Sequence, residues 1–345
     1  MRTKKLAVAA AAAVAFALAV AGCSSSSGAS GGSGDSAASG SKSLQEVSVG
    51  QVPLSLFSPL YVADAKGYFK QEGIKLNLQA VKSGQDAIPL ASSGKLDVVV
   101  AGFSAGMFNA INTGLDVKVV GSMAVAAGDP DSSATHLVVA KKDVDSGTVK
   151  SIADLKGKKI GAAGGPGGTG GYLVAMALKK GGLTLSDVQV VNLGNPDMPT
   201  ALQNGSLDAG LMSAPFSLTS IKDGTGVSMA VPPKGYSGTG VIYGGKFAKS
   251  PLAQKFFDAL AKGSKDVQGS KAKDAANLKI IAAATGQTID QLKATPFDTW
   301  LPNLAPLPDQ LQSMQKVWIQ AKATSYTSPI PSSKFIDSSF SKKAK

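Results

Sequence analysis

Cysteine and histidine are the first scarcities. The 345-residue chain has one cysteine, Cys23, and one histidine, His136. A lone thiol forms no internal disulfide and builds no thiolate metal centre. A lone imidazole excludes histidine clusters for zinc and leaves most histidine-based catalytic arrangements incomplete. No metal and no cofactor is therefore expected. Aromatic residues make up only 6% of the chain, and no basic run interleaves with them. The net charge of +12 thus favours anionic surfaces or ligands but is not the footprint of a nucleic-acid binder. The longest apolar run, Leu6 to Val20, is too short to span a bilayer comfortably.

That run sits behind a basic head of Arg2, Lys4 and Lys5 and ends in Val20-Ala21-Gly22-Cys23. Residues 1–22 read as a secretory signal segment and are set aside from fold reasoning. The ending resembles a bacterial lipobox, which implies that Cys23 is acylated and becomes the mature N-terminus. The other reading is a plain cleaved signal with a stray thiol. Ser24 to Ser43 holds ten Ser and five Gly in twenty residues. Such a segment has nothing to bury and reads as a flexible tether with a reach of roughly 25 Å. A lipid anchor with such a spacer would hold a globular body near a membrane.

From Leu44 on, about 300 residues suffice for two lobes. Val47 and Val49 begin a strand. Ser58-Pro59 reads as an N-cap and first helical position, and Gly67 can end that helix. Ile74, Leu76 and Leu78 alternate as in a strand. Asp86 to Ser93 reads as a helix despite Pro89, Leu96 to Ala101 as a buried strand, Phe103 to Asn112 as a helix and Val117 to Val120 as a strand. A second series follows: strand Leu137 to Ala140, a capping-box start at Ser151 and Asp154, strand Lys158 to Ala163, helix Tyr172 to Lys180, strand Val188 to Leu193 and a helix near Met198 to Asn204. Helices alternating with strands predict an α/β body with largely parallel sheets. After Pro251 the pattern is helical: Leu252 to Val267, Lys271 to Thr285 and Pro308 to Thr324. Trp300 and Trp318 read as packing anchors, and the lysines at 342, 343 and 345 as a frayed end.

The two series echo each other. "DAIPLASSGKLDV" (Asp86 to Val98) and "DMPTALQNGSLDA" (Asp197 to Ala209) share Asp, Gly, Leu and Asp at a constant offset of 111. This is either a two-lobe correspondence or the common chemistry of a helix-to-strand turn. Two such lobes would face each other with their strand-end loops, where ligands of open α/β sheets bind.

Three motifs bear on chemistry. Gly165-Pro166-Gly167-Gly168-Thr169-Gly170 is literally G-x-G-x-x-G between a strand and a helix. A dinucleotide site needs an acid at the end of the next strand. Asp187 lies before that strand, and Asp197 is the only acidic candidate after it. No Lys-Ser/Thr pair makes it a phosphate-binding P-loop. Backbone N–H groups at a helix start would still attract a negative or strongly polar group; the alternative is a turn that touches nothing. Gly102-Phe103-Ser104-Ala105-Gly106 matches G-x-S-x-G, but the sole base, His136, follows too soon for the hydrolase order. Ser104 reads better as a hydroxyl facing a ligand. His136 is a cleft residue, a hinge residue or simply a satisfied histidine.

"SPLYVADAKGYFKQEGIKLNL" (Ser58 to Leu78), "SSGKLDVVVAG" (Ser92 to Gly102), "SIADLKGKKIGA" (Ser151 to Ala162), "KKGGLTLSDVQVVNL" (Lys179 to Leu193) and "LQNGSLDAGLMSAP" (Leu202 to Pro215), in that order, resemble the solute-binding proteins of ABC importers. The likeness is to the branch serving aliphatic sulfonates, taurine, nitrate and thiamine-precursor pyrimidines, and it covers about Glu46 to Lys265. It implies a two-lobed type II periplasmic-binding-protein fold with a ligand cleft between lobes. Expected bounds are a signal peptide (1–22), the acylated Cys23 with its linker (23–43), a first lobe (44–138), a second lobe (139–241), and a return with C-terminal helices (242–345). Ligand contacts implied by the resemblance fall on Phe57 and Ser58, on Phe103, Ser104 and Ala105, on Gly168, Thr169, Gly170 and Gly171, and on Ser213 with Pro215. Tyr236 and His136 are further candidates. None of these loops carries Arg or Lys, so the relatives' substrate does not carry over. The implied partners are a small polar or anionic ligand, permease subunits with a cytoplasmic ATPase, and a membrane through the lipid. No nucleic acid partner is expected, and the chain is expected to be a monomer without enzymatic activity. Two enzyme readings stay open: a same-fold pyrimidine synthase that consumes its own histidine, and a serine hydrolase using Ser104.

Overall fold

The computed structural model describes residues 43–344. The expected signal segment, Cys23 and nearly all of the Ser/Gly tether lie outside the described residues. Ten strands form two five-stranded mixed sheets. The first holds β1 (Gln45–Gln51), β2 (Ile74–Ala80), β3 (Val98–Gly102), β4 (Val117–Ser122) and β10 (Thr239–Gly244). The second holds β5 (Thr135–Ala140), β6 (Lys159–Ala162), β7 (Gln189–Asn192), β8 (Ala209–Ser213) and β9 (Gly226–Ala230). Strand orders are β2-β1-β3-β10-β4 and β7-β6-β8-β5-β9. In each, one late or early strand, β10 or β5, runs antiparallel between neighbours. This is an α/β two-lobed architecture whose sheets superimpose strand for strand in topology.

The offset of 111 has a structural meaning. Asp97 accepts a hydrogen bond from the backbone N–H of Ser48 at 2.9 Å, beside the start of β3. Asp208 accepts one from the N–H of Lys159 at 2.7 Å, beside the start of β8. Each acid thereby pins its strand to the parallel neighbour, β1 or β6. Leu96 and Leu207 are both buried. Each fills the space left by a glycine on that neighbour: a Cβ on Gly50 would lie 2.6 Å from Leu96, and one on Gly161 would lie 2.5 Å from Leu207. Gly94 and Gly205 both have positive φ (71° and 80°), which a helix-to-strand turn requires.

β5 belongs whole to the second sheet and β10 whole to the first. The chain therefore changes sheet between 122 and 135 and again between 230 and 239. The expected limits at 138 and 241 each fall inside a strand.

Local chemistry departs from expectation in two places. The helix Ser58–Ala65 starts one residue earlier than expected, with Phe57 rather than Ser58 at the N-cap and so without a side-chain cap, and the Ser58 hydroxyl donates backward to the Ser55 carbonyl at 2.6 Å. The C-terminal end is docked rather than frayed: Phe340, on the short helix Ser339–Lys343, is buried and packs edge-on against Tyr243. The helix Leu252–Asp266 buries Phe256, Phe257, Leu260 and Ala261 completely, as its stripe predicts. Trp318, on the helix Pro308–Gln320, is fully buried between Phe108 and Tyr172.

Candidate ligand-binding site

A cavity of ≈ 110 Å³ lies between the two sheets, lined from both. That is room for several waters or one ring-sized molecule. Its walls are mostly apolar, with Val52, Leu54, Leu56 and Phe57 on the first lobe and Leu173 and Leu211 on the second.

The Gly-rich stretch forms one wall. Gly168, Thr169 and Gly170 line the cavity at the start of the helix Thr169–Lys179. The turn before it folds tightly on itself, since Gly164 and Gly165 have φ of 82° and 61°. A Cβ on Gly168 would lie 2.5 Å from the Ala163 carbonyl, and one on Gly171 would overlap the Gly165 carbonyl. The glycines are thus needed first for the turn's own packing. At the end of β7, where a dinucleotide site places its ribose-binding acid, stands Asn192. Its Oδ1 already accepts from the Gly164 N–H at 2.9 Å, and Asp197 is exposed.

Thr169 reaches across the cleft. Its hydroxyl lies 2.8 Å from the Phe103 carbonyl oxygen and 3.0 Å from that of Gly238. On the second lobe, Ser213 pairs with Thr135 through their hydroxyls at 3.0 Å, and Asn195 Oδ1 accepts from the Ser213 N–H at 2.7 Å. Tyr236 lies against Tyr172 in a stacked pair with centroids 5.5 Å apart. The hydroxyls of Tyr236 and Thr239 are buried at the cavity without a hydrogen-bond partner. Burial pushes the Tyr236 phenol well above its usual range, so it stays a neutral O–H.

Of the residues singled out in the sequence, Phe57, Gly168, Thr169, Gly170, Ser213 and Tyr236 line the cavity. The others do not. Ser58 is turned back onto Ser55. The Phe103 side chain is buried beneath the cleft floor against Gly240, and only its carbonyl meets Thr169. Ser104 is the N-cap of the helix Ala105–Asn112, accepting from the Met107 N–H at 3.1 Å. Ala105 is buried, with its methyl facing Gly167. Gly171 is packed on the turn behind it, and Pro215 sits at the start of the helix Phe216–Lys222, outside the lining. His136 is buried, with Nδ1 2.8 Å from Ser228 Oγ and Nε2 2.8 Å from the Ser133 carbonyl. Both ring nitrogens are satisfied, and burial holds the imidazole below its usual pKa. No hydrogen bond joins His136 to Ser104 among the described residues.

Sequence reasoning missed three groups. Lys82, Ser83, Gly84 and Gln85 line the cavity at the start of the helix Gly84–Ser92; Ser83 caps that helix through Asp86, a signal that was present. Asn195 follows β7. Asp298 comes from the helical tail, and no local pattern marks it. Its carboxyl is buried, and desolvation pushes its pKa up to about 7.

Residues 55–273 match the family model described as NMT1/THI5 like. A 4-amino-5-hydroxymethyl-2-methylpyrimidine phosphate synthase of Aspergillus parasiticus is 33% identical over 156 residues, 45% of this chain and 41% of that protein. The chain spans about half the length, or less, of the curated relatives it matches. The alkanesulfonate-binding protein SsuA from Xanthomonas axonopodis pv. citri, solved bound to MOPS, has a similar structure. Its TM-score is 0.63 at 20% identity, covering 84% of this chain and 96% of that one. The periplasmic nitrate-binding protein NrtA from Synechocystis PCC 6803 gives a TM-score of 0.71 at 14% identity, covering 87% and 88%. With two sheets of matching order, a cleft between them and a family match over most of the folded body, the chain belongs to the NMT1/THI5-like family and has the type II periplasmic-binding-protein fold.

Proposed function

We propose that this protein is the solute receptor of an ABC importer. It captures a small polar molecule between its lobes and hands it to membrane permease subunits driven by a cytoplasmic ATPase. The observation that carries this reading is the cavity itself: it lies between the lobes, is lined by Phe57, Gly168, Thr169, Gly170, Ser213 and Tyr236, and includes neither Ser104 nor His136 in its lining. The same six residues are the proposed ligand contacts. Closure of the lobes around ligand is a hinge motion about the two crossing segments. Cys23 is the proposed site of the lipid, and the Ser/Gly stretch after it the spacer, so the receptor works on the outer face of the cell membrane. The lobes are 44 to the first crossing, the second sheet with its helices, and the return with the tail.

The likeness to a pyrimidine phosphate synthase favours one rival, an enzyme of the same fold. A reaction that consumes the protein's own histidine needs that residue at the cavity, and His136 is bonded to Ser133 and Ser228 instead.

The test is thermal unfolding of the full chain against sulfonates, taurine, nitrate, pyrimidines, amino acids and nicotinamide dinucleotides. A receptor gives a saturable shift with one small compound, adding about 2.7 kcal/mol at a hundred times Kd. A shift with dinucleotides alone, or pyrimidine formation that His136→Ala abolishes, would sink the receptor reading.

A further inference from the structure

Asp298 is an unusual group to find in such a cavity. The residue is only 9% exposed and lines the wall among apolar side chains. No hydrogen bond or ion pair reaches it from the described residues. A buried carboxylate without a partner is costly unless something supplies a proton or a positive charge. The segment is nonetheless fixed. Thr299 exchanges backbone hydrogen bonds with Val125 at 2.8 and 3.1 Å, and the Trp300 indole N–H donates to the Leu56 carbonyl at 2.9 Å. Val125 lies between Ala124 and Ala126, and Leu56 beside Phe57, all cavity-lining residues. The two residues after Asp298 thus anchor it to segments of the cavity wall.

The opposite charge is thin. Arg2 is the chain's sole arginine and lies outside the described residues, so no described residue offers the cavity a guanidinium fork for an oxyanion. Among the described residues Lys82 is the only basic one on the wall, and it is exposed.

We propose that the cavity selects a small, largely apolar organic molecule carrying a positively charged or N–H-donating nitrogen, which Asp298 receives. This rests on the receptor reading and narrows its ligand class. The apolar wall would meet the ligand's carbon body.

The experiment is calorimetric titration of the full chain with four probes: butylammonium, 4-aminopyrimidine, methanesulfonate and nitrate. The expected result is saturable binding of a nitrogen probe, weakened about tenfold or more in Asp298→Asn. A pH series on the unsubstituted protein checks the same point without relying on a variant. The Asp298 carboxyl ionises near pH 7, so butylammonium should bind about tenfold more tightly at pH 8 than at pH 6. Lys82 and Tyr236 are the other titratable groups on the cavity, and Tyr236 stays neutral over that range. Methanesulfonate or nitrate binding more tightly than both nitrogen probes would overturn the inference and leave the receptor standing. So would nitrogen-probe binding that ignores both the substitution and pH. Failure of both nitrogen probes to bind also overturns it, and the receptor reading is then judged by the wider panel alone.

Discussion

The Thr169 hydroxyl lies 2.8 Å from the Phe103 carbonyl oxygen, tying a side chain of the second lobe to the end of β3 in the first. The same hydroxyl is 3.0 Å from the Gly238 carbonyl in the crossing segment, so one proton is shared between two acceptors. Gly238 still accepts from the Phe103 N–H at 2.9 Å; among the described residues the Phe103 carbonyl has no such second partner. The bond spans the cleft beside the cavity and holds the two walls in register.

Thr169→Val keeps the shape and removes the donor. We expect a loss of about 1–2 kcal/mol in unfolding free energy, the usual cost of leaving a buried acceptor unmet. Ligand affinity should fall with it. Urea unfolding with and without ligand measures both, and an unchanged midpoint would show that the bond does not hold the lobes.

Gly171→Ala tests the turn. The added methyl would overlap the carbonyls of Gly165 and Pro166, which are backbone atoms and cannot swing aside. Overpacking of this kind destabilises by about 1–3 kcal/mol. Thermal unfolding should show a lower midpoint although Gly171 does not line the cavity.

His136 should make the fold acid-sensitive. Burial holds its pKa below the usual 6.5 in the folded chain, so the unfolded state binds the proton more readily. The stability tied to neutral His136 is complete above about pH 6.5 and is lost as pH falls through the folded pKa. Urea midpoints from pH 7 to pH 5 should therefore drop more steeply for the natural protein than for His136→Gln. Parallel slopes would mean that the imidazole is not desolvated.

Asp298 works in the opposite direction. Burial pushes its folded pKa up to about 7, above the usual 3.8 of an aspartate. In the ligand-free protein the stability tied to its protonated form is therefore complete below pH 4 and is lost as pH rises through 7. The full span corresponds to about 4 kcal/mol. Asp298→Asn should be the more stable protein at pH 8 and nearly equal at pH 4, as read from urea unfolding at the two values. Equal stability at pH 8 would mean that water reaches the carboxylate.

Much of the fold was legible in the chain because its causes are local. Alternating apolar residues in Ile74, Leu76 and Leu78 gave β2, and the glycine at 94 or 205 needed only a turn's positive φ. The repeat at offset 111 survived because the same strand-pinning acid and the same leucine-against-glycine contact are needed in both lobes. The lobe limits were misplaced by a few residues because β5 and β10 are antiparallel insertions whose membership depends on distant partners. Side-chain direction was not legible either. Ser58 begins the helix after β1 and Ser104 caps the helix after β3, and each spends its hydroxyl on its own local backbone.

The sequence by itself determined the element order, the two-lobed α/β plan and the glycine-bearing helix start, since each follows from spacing along a few neighbouring residues. Only the tertiary structure decided what that helix start faces. Trp300 meets Leu56 across 244 positions of chain, and that contact brings Asp298 to the cavity wall. No periodicity records such a meeting, because it is fixed by packing between surfaces that lie far apart along the chain.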